Sequence, residues 1–121
     1  MKIEKIRSII EQASQAWMTG NVDAFAELFA PDGKFIVPGH SYVGVAAIKQ
    51  VMSEFAATHS DVKIEIHQII ADGDHAVVEW FWQDTETQTG KQQKAEDAIV
   101  IDFQEGLISR WREYIDSQTP N

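Results

Sequence analysis

Apolar residues open the chain at alternating steps of three and four. Ile3, Ile6, Ile10, Ala13 and Trp17 mark one face of a helix. Gly20 is placed to end it, and Asn21 to cap a second, short helix whose apolar stripe is Val22, Phe25, Leu28 and Phe29. Pro31-Asp32-Gly33 carries turn chemistry and predicts its stop. Residues 34–37 then read as a short extended piece closed by Pro38-Gly39, with His40 and Tyr42 in the following loop. Gly44 precedes a third helix with Ile48, Val51, Met52 and Phe55 on its buried side. After Asp61 the period changes to two. Strands are expected over 62–71, 75–84, 94–103 and 107–115, with a hairpin turn at Asp72-Gly73-Asp74, a polar loop at 85–90 and a tight turn at Gln104-Glu105-Gly106. The tail from Ser117 to Asn121 is expected to fray.

Helices first, then a meander of long strands, is an α+β pattern. A strongly bent sheet wrapped over the helices forms a cone with one open end, and such a cone holds a pocket. The chain has 121 residues, which fits one domain, 1–121. Cysteine is absent. That removes disulfides, thiolate metal sites and a cysteine nucleophile, and it fits a cytoplasmic setting. The net charge of −9 opposes nucleic acid and anionic membranes, and no apolar run is long enough to span a bilayer. Asp72-Gly73-Asp74-His75 is too short for an oxygen-ligand calcium loop, and the histidines at 40, 59, 67 and 75 form no helical ligand pair. No metal and no cofactor are expected. Glycine-rich phosphate loops and a serine nucleophile elbow are also missing.

Two stretches carry a family resemblance. Residues 16–33, AWMTGNVDAFAELFAPDG, resemble the opening of SnoaL-like domains. Residues 105–116, EGLISRWREYID, resemble their closing strand, and Gly44 with Ala47-Ile48 matches the middle helix. These domains belong to the nuclear transport factor two-like superfamily, with ketosteroid isomerases, limonene epoxide hydrolases and polyketide cyclases. The resemblance implies three N-terminal helices packed in a conical, strongly curved, mostly antiparallel mixed sheet, a cystatin-like α+β barrel. It also implies a homodimer through the outer sheet face. The isomerase tyrosine on the first helix falls at Ala13, and its aspartate base falls at Val37, directly before Pro38. Both groups are gone. The third isomerase group, a protonated aspartic acid, falls at Asp97, or at Ile99 if the alignment slips by two. The Asp–Arg–Asp set of the epoxide hydrolase is missing, because residues 76–84 contain no arginine. SnoaL-type cyclases rest mainly on one acidic residue of a late strand, a role open to Asp97.

Asp97 shares a strand face with Ile99, Ile101 and Phe103. Burial there raises a carboxyl pKa, as a proton-transferring group requires. The competing reading is a strand-end aspartate facing water. His67 is either a second acid/base group or an outer-face residue beside Glu65, set against Ile64, Ile66 and Ile70 by period two. Glu113 reads as structural. Trp80 and Trp82 share a face with Val78, and Trp17 and Trp111 are expected to join them around a flat apolar ligand. Phe29, Val37, Tyr42, Met52, Phe55 and Ile99 complete the expected lining. The alternative is a core that fills the cone. The function expected is a cofactor-free isomerase, cyclase or hydratase acting on a small hydrophobic molecule. A non-catalytic binding or dimerisation module of the same fold is the alternative.

Overall fold

The computed structural model describes residues 1–118. Helix α1 spans Ile3–Thr19 and buries Ile6, Ile9, Ile10, Ala13, Ala16 and Trp17. Ile3 stays 42% exposed. Gly20 closes α1 in the left-handed region at φ 69°, and the N–H of Asn21 bonds to Ala16 O at 2.8 Å. The Asn21 side chain then accepts from the N–H of Ala24 at 3.1 Å, so it caps α2, Val22–Ala26.

The next element differs from the sequence expectation. Strand β1 runs Phe29–Val37 and contains Pro31-Asp32-Gly33. Its register shifts between Phe29 and Lys34, so the turn residues form an irregularity inside a strand. Gly33 is required there. A Cβ on it would lie 2.9 Å from the backbone oxygen of Ile108 on the neighbouring strand. His40–Val43 is strand β2, antiparallel to β1, where the sequence pattern predicted a loop. Helix α3, Val45–Thr58, follows and buries Ile48 and Met52.

Four long strands complete the chain: β3, His59–Asp72; β4, His75–Glu86; β5, Gln92–Gln104; and β6, Leu107–Ser117. Each is longer than the alternating pattern predicts, because the pattern fades where strand ends become polar on both faces. Ser117 lies within β6, and the rest of the tail beyond Gln118 lies outside the described residues. The sheet order is β2-β1-β6-β5-β4-β3. The β1–β6 pair is parallel and the other pairs are antiparallel.

The sheet is mixed and curved, but it is open. β2 bonds to β1 on one side, β3 bonds to β4 on one side, and they lie at opposite edges. This is the expected α+β architecture, three helices against a strongly curved mixed sheet, with the helices held on its concave face. That face carries Val78 and Trp80 of β4, Ile99, Ile101 and Phe103 of β5, and Ile108 and Trp111 of β6, all buried. Phe25, Phe29 and Trp111 pack edge to face or tilted at centroid distances of 5.1 to 6.3 Å and close one end of the interior. No helix among the described residues is long and apolar enough to cross a membrane.

Candidate functional site

The other end of the concave face is not filled. A cavity of about 320 Å³ opens between α1, α3 and the far ends of β4, β5 and β6. Trp17 of α1, Val51 and Phe55 of α3, Phe35 and Val37 of β1, and Trp82 of β4 form its apolar wall. Trp17, Phe55 and Trp82 meet one another edge to face at 5.5 to 5.7 Å.

Three carboxyl groups line the same cavity: Asp84, Asp97 and Glu113. Each accepts a hydrogen bond from an indole N–H. Trp82 Nε1 donates to Asp84 Oδ2 at 2.7 Å. Trp80 Nε1 donates to Asp97 Oδ2 at 3.1 Å, and Trp111 Nε1 donates to Glu113 Oε2 at 2.9 Å. The strand pleat makes these pairs. Residues 82 and 84, and residues 111 and 113, are two apart on one strand and share its inner face. Trp80 lies directly opposite Asp97 across the β4–β5 ladder. Glu113 is paired with Ile99, so it lies diagonally from Asp97 across β5–β6.

The indoles satisfy one oxygen of each buried aspartate. Asp84 is 3% exposed and Asp97 is 5% exposed. Asp84 Oδ1, Asp97 Oδ1 and Trp17 Nε1 have no hydrogen-bond partner among the described residues. Two acceptors and one donor therefore wait in one cavity, which is unusual for a protein interior.

Burial raises the Asp97 pKa to about 6, against the lowering effect of the Trp80 N–H and of a hydrogen bond from Glu113. Burial, reinforced by the Asp97 charge, raises Glu113 further, to about 8, although the Trp111 N–H pulls it down. Glu113 holds its proton and donates it toward Asp97. Between these two values the pair carries one base and one acid.

The structure brings together Asp97, Trp17, Val37, Phe55 and Trp82 from the residues expected at the site. Trp80 and Trp111 are fully buried behind the cavity and reach it through the carboxyls they hold. Phe29 and Ile99 are core residues, Met52 is buried beneath α3, and Tyr42 packs behind Phe35 at 6.1 Å. His67, for which an outer-face position was the alternative to an acid/base role, does not join the cavity residues. It lies on the outer face of β3, its side chain 45% exposed and 3.9 Å from Glu96. A register shift between Ile66 and Gln68 turns His67 and Gln68 outward, with Ile66 and Ile69 facing the helices. Sequence reasoning missed Asp84 and Glu113. The signal for both was present: an acidic residue two positions after a tryptophan, on a face already known to be apolar.

A family model for the SnoaL-like domain matches residues 10–111. The chain belongs to the SnoaL-like domain family. No curated protein matches it in sequence. Among solved structures, a Catenulispora acidiphila protein with a ketosteroid isomerase-like fold, in complex with trimethylamine, is similar at 21% identity. That match covers 88% of this chain and 83% of the other, with a TM-score of 0.82. TsrD from Streptomyces laurentii is similar at 14% identity, covering 96% and 91% of the two chains, with a TM-score of 0.84. An M. tuberculosis LEH-like epoxide hydrolase is similar at 20% identity, covering 93% and 83%, with a TM-score of 0.80. At these identities the likeness is one of fold. Within this SnoaL-like domain, Ala13 is fully buried and Val37 lines the cavity. Its polar groups come from β4, β5 and β6 instead. Among the described residues, no three histidine or acidic groups are arranged to hold a metal ion.

Proposed function

We propose that this SnoaL-like domain is a cofactor-free acid/base catalyst for a small, largely hydrophobic substrate. The observation that carries this reading is the Asp97–Glu113 pair, set in an apolar cavity with one proton between them across roughly neutral pH. Asp97 Oδ1 has no partner among the described residues and is the atom available to take a proton from a carbon beside a carbonyl. Glu113, as the acid, turns its O–H from Asp97 to the carbonyl oxygen and donates a hydrogen bond to it as it becomes an enolate. Return of the proton to a different carbon is an isomerisation. Attack of the enolate carbon on a second carbonyl is a cyclisation. Removal of a proton from water at the same Oδ1 serves a hydration. The relative held in complex with trimethylamine supports a small-molecule role for a cavity in this fold.

The test is exchange of carbon-bound hydrogen for deuterium in a panel of small cyclic ketones and enones, followed by proton NMR. Wild type is expected to exchange a subset of them, and Asp97→Asn to slow that exchange by about 100-fold or more. The rate should rise with pH through about 6 as Asp97 ionises. It should fall through about 8 as Glu113 loses its proton. Exchange by Asp97→Asn at the wild-type rate would sink the reading. Binding without turnover is the second reading, favoured by the continuous aromatic wall of Trp17, Phe35, Phe55 and Trp82. It predicts ligand-induced NMR shifts with no exchange. The homodimer implied by the family resemblance is kept as part of this proposal. Its surface would be the outer sheet face around Ile70, Val77 and Tyr114, which are 56%, 36% and 50% exposed.

A further inference from the structure

Asp84 is not used by the chemistry proposed above, yet it is the most deeply buried of the acidic side chains in the cavity with an unpartnered oxygen. Its Oδ2 takes the Trp82 N–H at 2.7 Å. Asp84 lines the cavity together with Lys94, and its Oδ1 is buried with no hydrogen-bond partner among the described residues. An ionised carboxylate has about four acceptor positions, and one donor leaves most of them empty. Burial in that state is costly, and a cationic donor compensates it far better than a neutral one. The ring of Trp82, which holds Oδ2, also meets Trp17 and Phe55 beside it. Aromatic rings beside a carboxylate suit a cation that carries alkyl groups, because the ring faces attract the charge and the methyls bury apolar area.

The geometry points to Asp84 as a specificity-determining residue that receives a protonated tertiary amine on the ligand, its N–H⁺ bonding to Oδ1 and its alkyl groups resting on Trp17, Phe55 and Trp82. This deepens the reading of the cavity as a substrate site: the substrate class becomes small alkylammonium compounds with a compact apolar body. Asp84 selects and orients the substrate, while Asp97 and Glu113 move its proton.

Three ligands of one shape separate charge from hydrogen bonding: N,N-dimethylcyclohexylammonium, its quaternary N,N,N-trimethyl homologue, and the neutral 2-cyclohexylpropan-2-ol. Binding is followed by NMR of the indole N–H signals, with the Trp82 signal as the reporter because it bonds to Asp84. The tertiary ammonium is expected to bind the wild-type protein at least about tenfold tighter than the alcohol, and tighter than the quaternary ion. Asp84→Asn should remove the preference over the alcohol, and Asp97→Asn should keep it. Three results would overturn the inference. In the first, the alcohol binds wild type as tightly as the ammonium. In the second, the preference is lost in Asp97→Asn and kept in Asp84→Asn. In the third, the ammonium does not bind at about 10 mM, beyond the millimolar range expected of a compact ligand. The ligand comparison on wild type requires no variant to fold. An Asp84-dependent preference for the amine in a protein that exchanges no carbon-bound hydrogen would retain this inference and remove the catalytic reading alone.

Discussion

The indole of Trp80 controls how tightly Asp97 holds its proton. Its N–H stabilises the carboxylate at 3.1 Å and opposes the desolvation that raises the pKa to about 6. Trp80→Phe keeps an aromatic ring in a fully buried position and deletes the donor, leaving a small void where the pyrrole ring stood. Asp97 should then titrate higher by roughly one unit, the size of a hydrogen bond to a charged group. Carboxyl-carbon NMR reads this directly, and the acid limb of any exchange profile should move with it. The variant should also lose about 1–3 kcal/mol of stability, because a buried acceptor is left unsatisfied. An unchanged Asp97 titration would mean that burial alone sets its pKa. Trp111 relates to Glu113 in the same way at 2.9 Å, so each carboxyl of the proposed proton-transfer pair is tuned by an indole behind it.

At the scale of elements, Gly33 shows why β1 begins earlier than turn chemistry predicts. Pro31-Asp32-Gly33 would normally end a segment, but here the chain stays in the sheet because Gly33 lets its backbone approach Ile108 on β6. Gly33→Ala places a Cβ against the Ile108 oxygen at 2.9 Å and against Ala30 O at 3.0 Å. Overpacking against backbone has no flexible neighbour to absorb it, and a loss of about 1–3 kcal/mol is expected in urea denaturation. A wild-type midpoint would show that β1 shifts freely against β6. The same kind of irregularity limits what alternation can reveal. Ile64, Ile66 and Ile70 share one face by strict period two, but the register shift at Ile66/Gln68 puts Ile70 outward and 56% exposed. A bulge leaves almost no trace in sequence, so the helices and the meander of β3 to β6 were legible, but which faces of β3 and β4 look inward, and with them the face of His67, were not. Asp97 was legible because its face holds Ile99, Ile101 and Phe103. Asp84 and Glu113 were legible only in principle. Both look like strand-end polar residues until the curvature of the sheet directs that end of the inner face into a cavity.

For the whole molecule, the proposed dimer and the buried carboxyls make separate predictions. Light scattering after gel filtration should give about twice the 13.7 kDa chain mass, and a monomer would leave Ile70, Val77 and Tyr114 as open surface. The carboxyls predict how stability responds to pH in a chain whose net charge is already −9. Burial moves Asp97 from 3.8 to about 6, and Glu113 from 4.5 to about 8. Both pKa values are raised, so the folded chain holds protons that the unfolded chain has released. Stability from these two groups is therefore complete below about pH 4, and it declines as pH rises through about 6 and again through about 8. This is the reverse of the usual surface carboxylate, which loses stability on acidification. The urea midpoint is expected to fall between about pH 4 and about pH 8. Glu113→Gln has no proton to lose, so it should abolish the decline between about pH 6 and about pH 8 and leave below it only the shallower one that belongs to Asp97. A wild-type midpoint that is flat across the range would place both carboxyls in water, and the proton-sharing pair on which the proposed chemistry rests would go with them.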